Sequence, residues 1–206
     1  MTALEIVTQA RAIPVLRGEN ADKVLEVAHA LFEEGFNCLE VTFTVPNAIE
    51  VIYELAKLEG VILGAGTVLN VSQVHAAVRA GAHFLVSPGT DAGLIEAARE
   101  AKTPMLPGVF TPSEVMQARA LGCKVLKLFP GELAGIGHLK SLRGPFPDLN
   151  FMPTGGVNNT NIQDWANAGA VAVGIGSSLT GDGELTGIRE RARALRTAIE
   201  GVIWPK

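Results

Sequence analysis

Eight short apolar runs, punctuated by Gly and Pro and recurring roughly every 20–30 residues, leave this chain few folds to choose from. They fall at 13–16, 38–43, 61–64, 83–86, 105–108, 124–129, 150–154 and 170–175. Their β-branched content and bounded length read as strands buried on both faces. Between them lie segments with helical spacing. Residues 21–34 put Val24, Val27, Ala28 and Leu31 on one stripe, 71–80 do so with Val74, Ala77 and Val78, and 185–203 with Ile188, Ala192, Leu195 and Ile199. Gly35, Gly81, Gly122 and Gly169 stand where left-handed helix ends are wanted, while Asn70, Asp91 and Thr111 or Ser113 stand ready as N-caps.

Strand–helix alternation implies parallel strands with right-handed crossovers. Eight units are the number that closes a (β/α)8 TIM barrel, with residues 1–11 as an extra N-terminal helix beneath its floor. An open doubly wound sheet would carry a Gly-rich turn after its first strand. The residues after Leu16 read Arg17-Gly18-Glu19-Asn20, so the barrel is the expected fold. No linker divides the chain, and 1–206 reads as one domain.

Counting removes several functions. The 206 residues hold 17 Lys+Arg against 21 Asp+Glu, a net charge of −4, which excludes the basic stripe that a nucleic-acid binder needs. No run of about 18 apolar residues suggests a membrane span. Glu5, Gln9 and Arg11 interrupt any secretion-signal core, so a cytoplasmic protein is expected. Cys38 and Cys123 form no CxxC pair, and Cys38 reads as core. His29, His75, His83 and His138 show no ligand spacing, so neither a metal nor a cofactor is expected.

Two charges stand inside strands. Alternation sets Glu40, Thr42 and Thr44 on one face, opposite Leu39, Val41 and Phe43, and sets Lys127 opposite Leu126 and Leu128. With the apolar faces under the helices, Glu40 and Lys127 both project into the barrel. One reading is a buried ion pair. The other is a desolvated amine, able to attack a carbonyl, with a carboxylate beside it to move protons. Glycines close the seventh and eighth units, in Thr154-Gly155-Gly156 and Gly174-Ile175-Gly176-Ser177, where backbone N–H groups can approach a phosphate. Arg17 and Thr67 complete the expected rim.

The chain resembles the class I KDPG (2-keto-3-deoxy-6-phosphogluconate) and 4-hydroxy-2-oxoglutarate aldolases. The resemblance runs through Pro14-Val15-Leu16-Arg17, Leu39-Glu40-Val41-Thr42, Gly64-Ala65-Gly66-Thr67-Val68, Ser87-Pro88-Gly89, Leu126-Lys127-Leu128-Phe129-Pro130 and Pro153-Thr154-Gly155-Gly156-Val157. It implies a Schiff base on Lys127 and a general acid/base in Glu40. It further implies a small-molecule substrate contacted by Arg17, Thr44, Thr67, Pro88, Phe129 and Thr154, with phosphate on Gly155, Gly156, Gly176 and Ser177. A homotrimer is implied as well. The reaction implied is cleavage of the phosphorylated sugar acid to pyruvate and glyceraldehyde 3-phosphate, or of 4-hydroxy-2-oxoglutarate to pyruvate and glyoxylate. The galactonate epimer is the alternative substrate; a phosphosugar isomerase or epimerase and a non-catalytic phospho-ligand sensor are further alternatives. In one respect the chain departs from the pattern: many members carry Arg where Thr44 stands, and Arg17 is expected to supply the missing charge.

Overall fold

The computed structural model describes residues 1–181 and 183–205. After helix α1 (Ala3–Ala10) strands and helices alternate, apart from two successive strands at 105–109 and two successive helices at the end. The chain runs through β1 (Ala12–Leu16), α2 (Ala21–Glu33), β2 (Cys38–Thr42), α3 (Ala48–Leu55), β3 (Ile62–Gly66) and α4 (Val71–Arg79). Next come β4 (Phe84–Val86), α5 (Ala92–Glu100), β5 (Met105–Leu106), β6 (Gly108–Val109), α6 (Pro112–Ala120) and β7 (Val125–Leu128). The last elements are α7 (Gly131–Arg143), β8 (Asn150–Pro153), α8 (Ile162–Asn167), β9 (Val173–Ile175), α9 (Ser177–Thr180) and α10 (Leu185–Gly201).

The expected punctuation is in place. Gly35, Gly81, Gly122 and Gly169 all have φ between +88° and +104°. Asn70, Asp91 and Thr111 accept from the backbone N–H three residues on, and Glu114 completes a capping box with Thr111; Ser113 lies inside α6.

All strand pairs are parallel. One sheet of six runs β5-β4-β3-β2-β1-β9, and a second of three runs β6-β7-β8. The run 105–108, expected as one strand, is two. Pro107 has no N–H to give a ladder, so β5 pairs with β4 and β6 with β7 on either side of it. The Pro107 carbonyl still accepts from Lys127 N at 2.9 Å. At the other junction single parallel bridges, Phe151↔Ala170 and Thr154↔Gly174, link the end of the second sheet to β9 and the residues before it.

Strand parity separates two apolar clusters. Leu16, Leu39, Val41, Leu63, Ala65, Leu85, Leu126, Leu128, Phe151, Val173 and Ile175 pack outward with the helices. Ile13, Cys38, Phe84, Val86, Leu106, Val125 and Met152 point the other way, onto Ile6 and Val7 of α1. That helix therefore plugs the amino-terminal end of the strands. Arg11, at its C-cap, ties it down by donating to the Val171 carbonyl at 2.9 Å with its guanidinium over Trp204.

Candidate active site

Among the described residues the buried polar side chains are Glu40, Thr42, Ser87, Lys127 and Thr154, each in a strand or just beyond its carboxyl end. All but Ser87, which directly follows the inward Val86, have the inward parity. In β2 the sequence Cys38, Glu40, Thr42 climbs from floor to mouth; in β7 it is Val125 and Lys127, then Phe129 past the strand end. Glu40 is paired with Val15 and Gly64, and Lys127 with Gly108 and Met152.

Glycine makes the room. A Cβ at Gly66 would overlap the Glu40 carboxylate, and one at Gly64 would overlap the Phe84 ring. At Gly174 a Cβ would run into Thr154 Oγ1. Glycine inside a strand often marks such a close approach.

Lys127 is 1% exposed and Glu40 0% exposed. Among the described residues neither Glu40 oxygen has a hydrogen-bond partner, so the buried ion pair considered from the sequence is not formed. The charges nevertheless feel each other. Burial drives the Lys127 amine below its ordinary pKa; the Glu40 carboxylate opposes this, and Arg17 adds to the depression. Nζ lies 4.9 Å from the centroid of the Phe129 ring, which covers the amine from the mouth side of the strand.

Around this pair stand the residues expected at the rim. Arg17 follows β1 and is exposed; Thr44 follows β2 and is exposed; Pro88, beyond β4, is half-buried. Thr67, beyond β3, has φ +56°, a strained setting for a β-branched residue and one that concentrates at functional sites. The two glycine loops are neighbours. The Thr154↔Gly174 bridge brings their strands together, and Ser178 Oγ donates to the Val157 carbonyl at 2.6 Å. Gly155 and Gly156 have φ +98° and +71°, and Gly176 caps the short α9 just before Ser177. Thr154 Oγ1 is buried without a partner.

Sequence reasoning missed Gly64 and Gly66 as the hollow beneath Phe84 and Glu40. The signal was there: Gly-x-Gly inside a strand leaves one face without side chains. It also missed the Thr42–Thr44 hydroxyl contact, which no pattern announces. The cysteines are as expected. Burial pushes the Cys38 thiol far up and the Cys123 thiol up to about 11, so neither is a thiolate nucleophile at neutral pH.

Parallel strands that carry a buried amine and a buried carboxylate, beside paired glycine loops, define the class: an α/β enzyme acting on a small molecule. Comparison with known proteins makes this specific. A model of the KDPG and KHG aldolase family matches residues 4–189, and the chain belongs to that family; it is a lyase of the aldolase type. The KHG/KDPG aldolase of Escherichia coli (strain K12) is 35% identical over 204 residues, covering 97% of this chain and 96% of the relative. A probable 2-dehydro-3-deoxy-6-phosphogalactonate aldolase of Rhizobium meliloti (strain 1021) is 35% identical over 194 residues, covering 92% of each. The crystal structure of KDPG aldolase from Legionella pneumophila, with pyruvate captured as a covalent carbinolamine, superposes with a TM-score of 0.85. Identity there is 31%, over 98% of each chain. Among the described residues no helix is long and apolar enough to cross a membrane.

Proposed function

We propose that this chain is a Schiff-base aldolase in which Lys127 is the nucleophile and Glu40 the proton shuttle. The observation that carries the reading is an amine with 1% exposure, depressed in pKa by burial, close to a buried carboxylate whose oxygens have no protein partner. Such an amine is uncharged in a larger fraction of molecules and so able to attack.

Neutral Lys127 Nζ adds to the C2 ketone of the 2-keto-3-deoxy-6-phospho sugar acid, and water leaves to give an iminium. The electrons of the C3–C4 bond flow into that cation as the bond breaks. Glu40 takes the C4 hydroxyl proton, directly or through a water, and glyceraldehyde 3-phosphate departs. The proton returns to the enamine carbon, and water hydrolyses the iminium to free pyruvate and Lys127. The backbone N–H groups around Gly155, Gly156, Gly176 and Ser177 would hold the phosphate. Arg17 and Thr67 would meet the carboxylate, with Pro88, Phe129 and Thr154 walling the substrate. 4-Hydroxy-2-oxoglutarate fits the same chemistry without using the phosphate loops. The gluco and galacto sugar acids differ only at C4, and relatives named for both lie at 35% identity.

We read residues 1–206 as one domain and the two sheets as one closed (β/α)8 barrel, supported by the two bridges at β8–β9 and by the unbroken chain through Pro107. A cytoplasmic homotrimer is the assembled form we expect. The test is borohydride reduction in the presence of pyruvate, followed by peptide mapping. A reduced pyruvyl adduct on Lys127 is expected; a clean negative with both pyruvate and the phosphorylated keto acid refutes the reading and favours an isomerase or a sensor.

A further inference from the structure

The turn after β9 is braced from behind. On α10 the half-buried Arg191 donates from Nε to the Leu179 carbonyl at 2.7 Å and from Nη2 to the Thr180 carbonyl at 3.2 Å. Glycine clears the way: a Cβ at Gly181 would lie 2.6 Å from Nη2, and one at Gly187, inside α10, 2.9 Å from Nη1. Each of these carbonyls belongs to a peptide unit whose N–H donates back along the chain. Thr180 N–H, in the unit of the Leu179 carbonyl, reaches the Gly176 carbonyl at 3.1 Å. Gly181 N–H, in the unit of the Thr180 carbonyl, reaches the Ser177 carbonyl at 2.8 Å. The Gly176 and Ser177 carbonyls in turn share their peptide units with the N–H groups of Ser177 and Ser178, which have no acceptor among the described residues.

Two parallel chains of hydrogen bonds thus run from one guanidinium to two free donors. Each link polarises the next, so the charge on Arg191 makes both N–H groups stronger donors, above all toward an anion. The neighbouring glycine loop matches them. Among the described residues Gly156 and Val157 N–H also lack acceptors, and Ser178 Oγ clamps the two loops together through the Val157 carbonyl. Thr154 Oγ1, lying against Gly174 in a residue only 5% exposed, has no partner. Resting on the aldolase reading above, we propose that Arg191 is a positioning residue for the phosphate. It holds the turn at 176–181, polarises the Ser177 and Ser178 N–H groups, and so sets the preference for phosphorylated over unphosphorylated 2-oxo acids.

A brace that merely supported the fold would act on every substrate alike, so three reactions are compared. Exchange of the pyruvate methyl protons in D2O, followed by proton NMR, and cleavage of 4-hydroxy-2-oxoglutarate involve no phosphate; cleavage of the 2-keto-3-deoxy-6-phospho sugar acid does. Arg191→Met removes the charge and both hydrogen bonds at similar length. It should raise KM for the phosphorylated substrate about tenfold, the scale of one hydrogen bond to a charged group, and leave its kcat and the other two reactions within about twofold. Arg191→Lys keeps the charge without the fork and should hold that KM within about threefold of wild type. Equal losses in all three reactions, an unchanged KM for the phosphorylated substrate, or a lysine variant as impaired as the methionine one overturns the proposal. Should the methionine variant not fold, Gly187→Ala decides. Its methyl displaces the guanidinium at Nη1 while alanine favours the helix, so KM for the phosphorylated substrate alone should rise about threefold, and no rise overturns the proposal. A wild-type enzyme without pyruvate exchange would instead sink the aldolase reading itself, so the two failures are distinguishable.

Discussion

Gly66→Ala is the smallest change that should disable the chemistry without touching either reacting group. Gly66 sits beside Thr42 in the β2–β3 ladder, and its φ is not positive, so alanine meets no backbone strain there. It meets Glu40. The added methyl would lie 2.8 Å from Glu40 Cγ and 2.6 Å from Cδ, and would overlap Oε1. Because the clash reaches back to Cγ, turning the carboxylate alone does not relieve it. Cγ must retreat by about 0.6 Å to regain ordinary contact near 3.4 Å, and the carboxylate at the end of the lever moves further. A misplacement of about 1 Å in a reacting group can cost on the order of 100-fold in rate. Overpacking of this kind costs about 1–3 kcal/mol. At about 2–4 °C per kcal/mol for a chain of this size, the melting temperature should fall by roughly 2–12 °C. Pyruvate release, coupled to lactate dehydrogenase, should show kcat down about 100-fold, while borohydride still traps pyruvate on Lys127. Gly64→Ala, which displaces the Phe84 ring instead, should lower the melting temperature with a smaller loss of kcat. Wild-type kcat in Gly66→Ala would refute the role given to Glu40. Loss of the trapped adduct would mean that the damage reaches the amine and not the proton shuttle.

Lys127→Met should abolish the adduct and raise the melting temperature at pH 7, since it removes a buried cation with no carboxylate in hydrogen-bond contact. The pKa of this amine is lowered on folding, so between that value and about 10.4 the unfolded chain binds more protons than the folded one. Wild-type stability from this group therefore rises with pH across that window. The advantage of the methionine variant should narrow from pH 7 to pH 10 in calorimetry; a constant gap would show that folding does not penalise the ammonium. Glu40→Gln removes the charge that raises the Lys127 pKa, and Arg17→Gln removes one that lowers it. The acid limb of pyruvate-dependent borohydride inactivation should move to lower pH in the first and to higher pH in the second, and a shift of either sign reversed would break the electrostatic account. Arg17→Ala should also raise KM for pyruvate in the exchange reaction, and unchanged kinetics would discard Arg17 as the carboxylate's cation.

The parity argument was legible because strands buried on both faces leave a charge nowhere neutral to go. Leu39, Val41 and Phe43 define an outward face by their chemistry alone, and Glu40 and Thr42 fall inward as a consequence; Leu126 and Leu128 do the same for Lys127. The glycine helix ends were legible for an equally local reason, since a left-handed residue suits glycine above others. What sequence withheld is whatever depends on two elements distant in the chain. Nothing near Pro107 says that the strand neighbours on its two sides will differ. Nothing near Lys127 says that Glu40 will stand close enough to be felt yet share no hydrogen bond with it.

That separation has a physical origin in the strand positions. Glu40 and Lys127 climb from different sheets, flanked by Gly64 on one side and Gly108 on the other, so each long side chain has a small neighbour to lie beside. Had the two met as a hydrogen-bonded pair, the carboxylate would have favoured the ammonium form and worked against nucleophilic attack. Held apart, the carboxylate offsets only part of the desolvation that favours the free amine, and its two oxygens remain able to accept a substrate proton. The same strands that make Lys127 costly to bury thus keep it reactive, which is why a substitution that stabilises the fold at that position should also silence it.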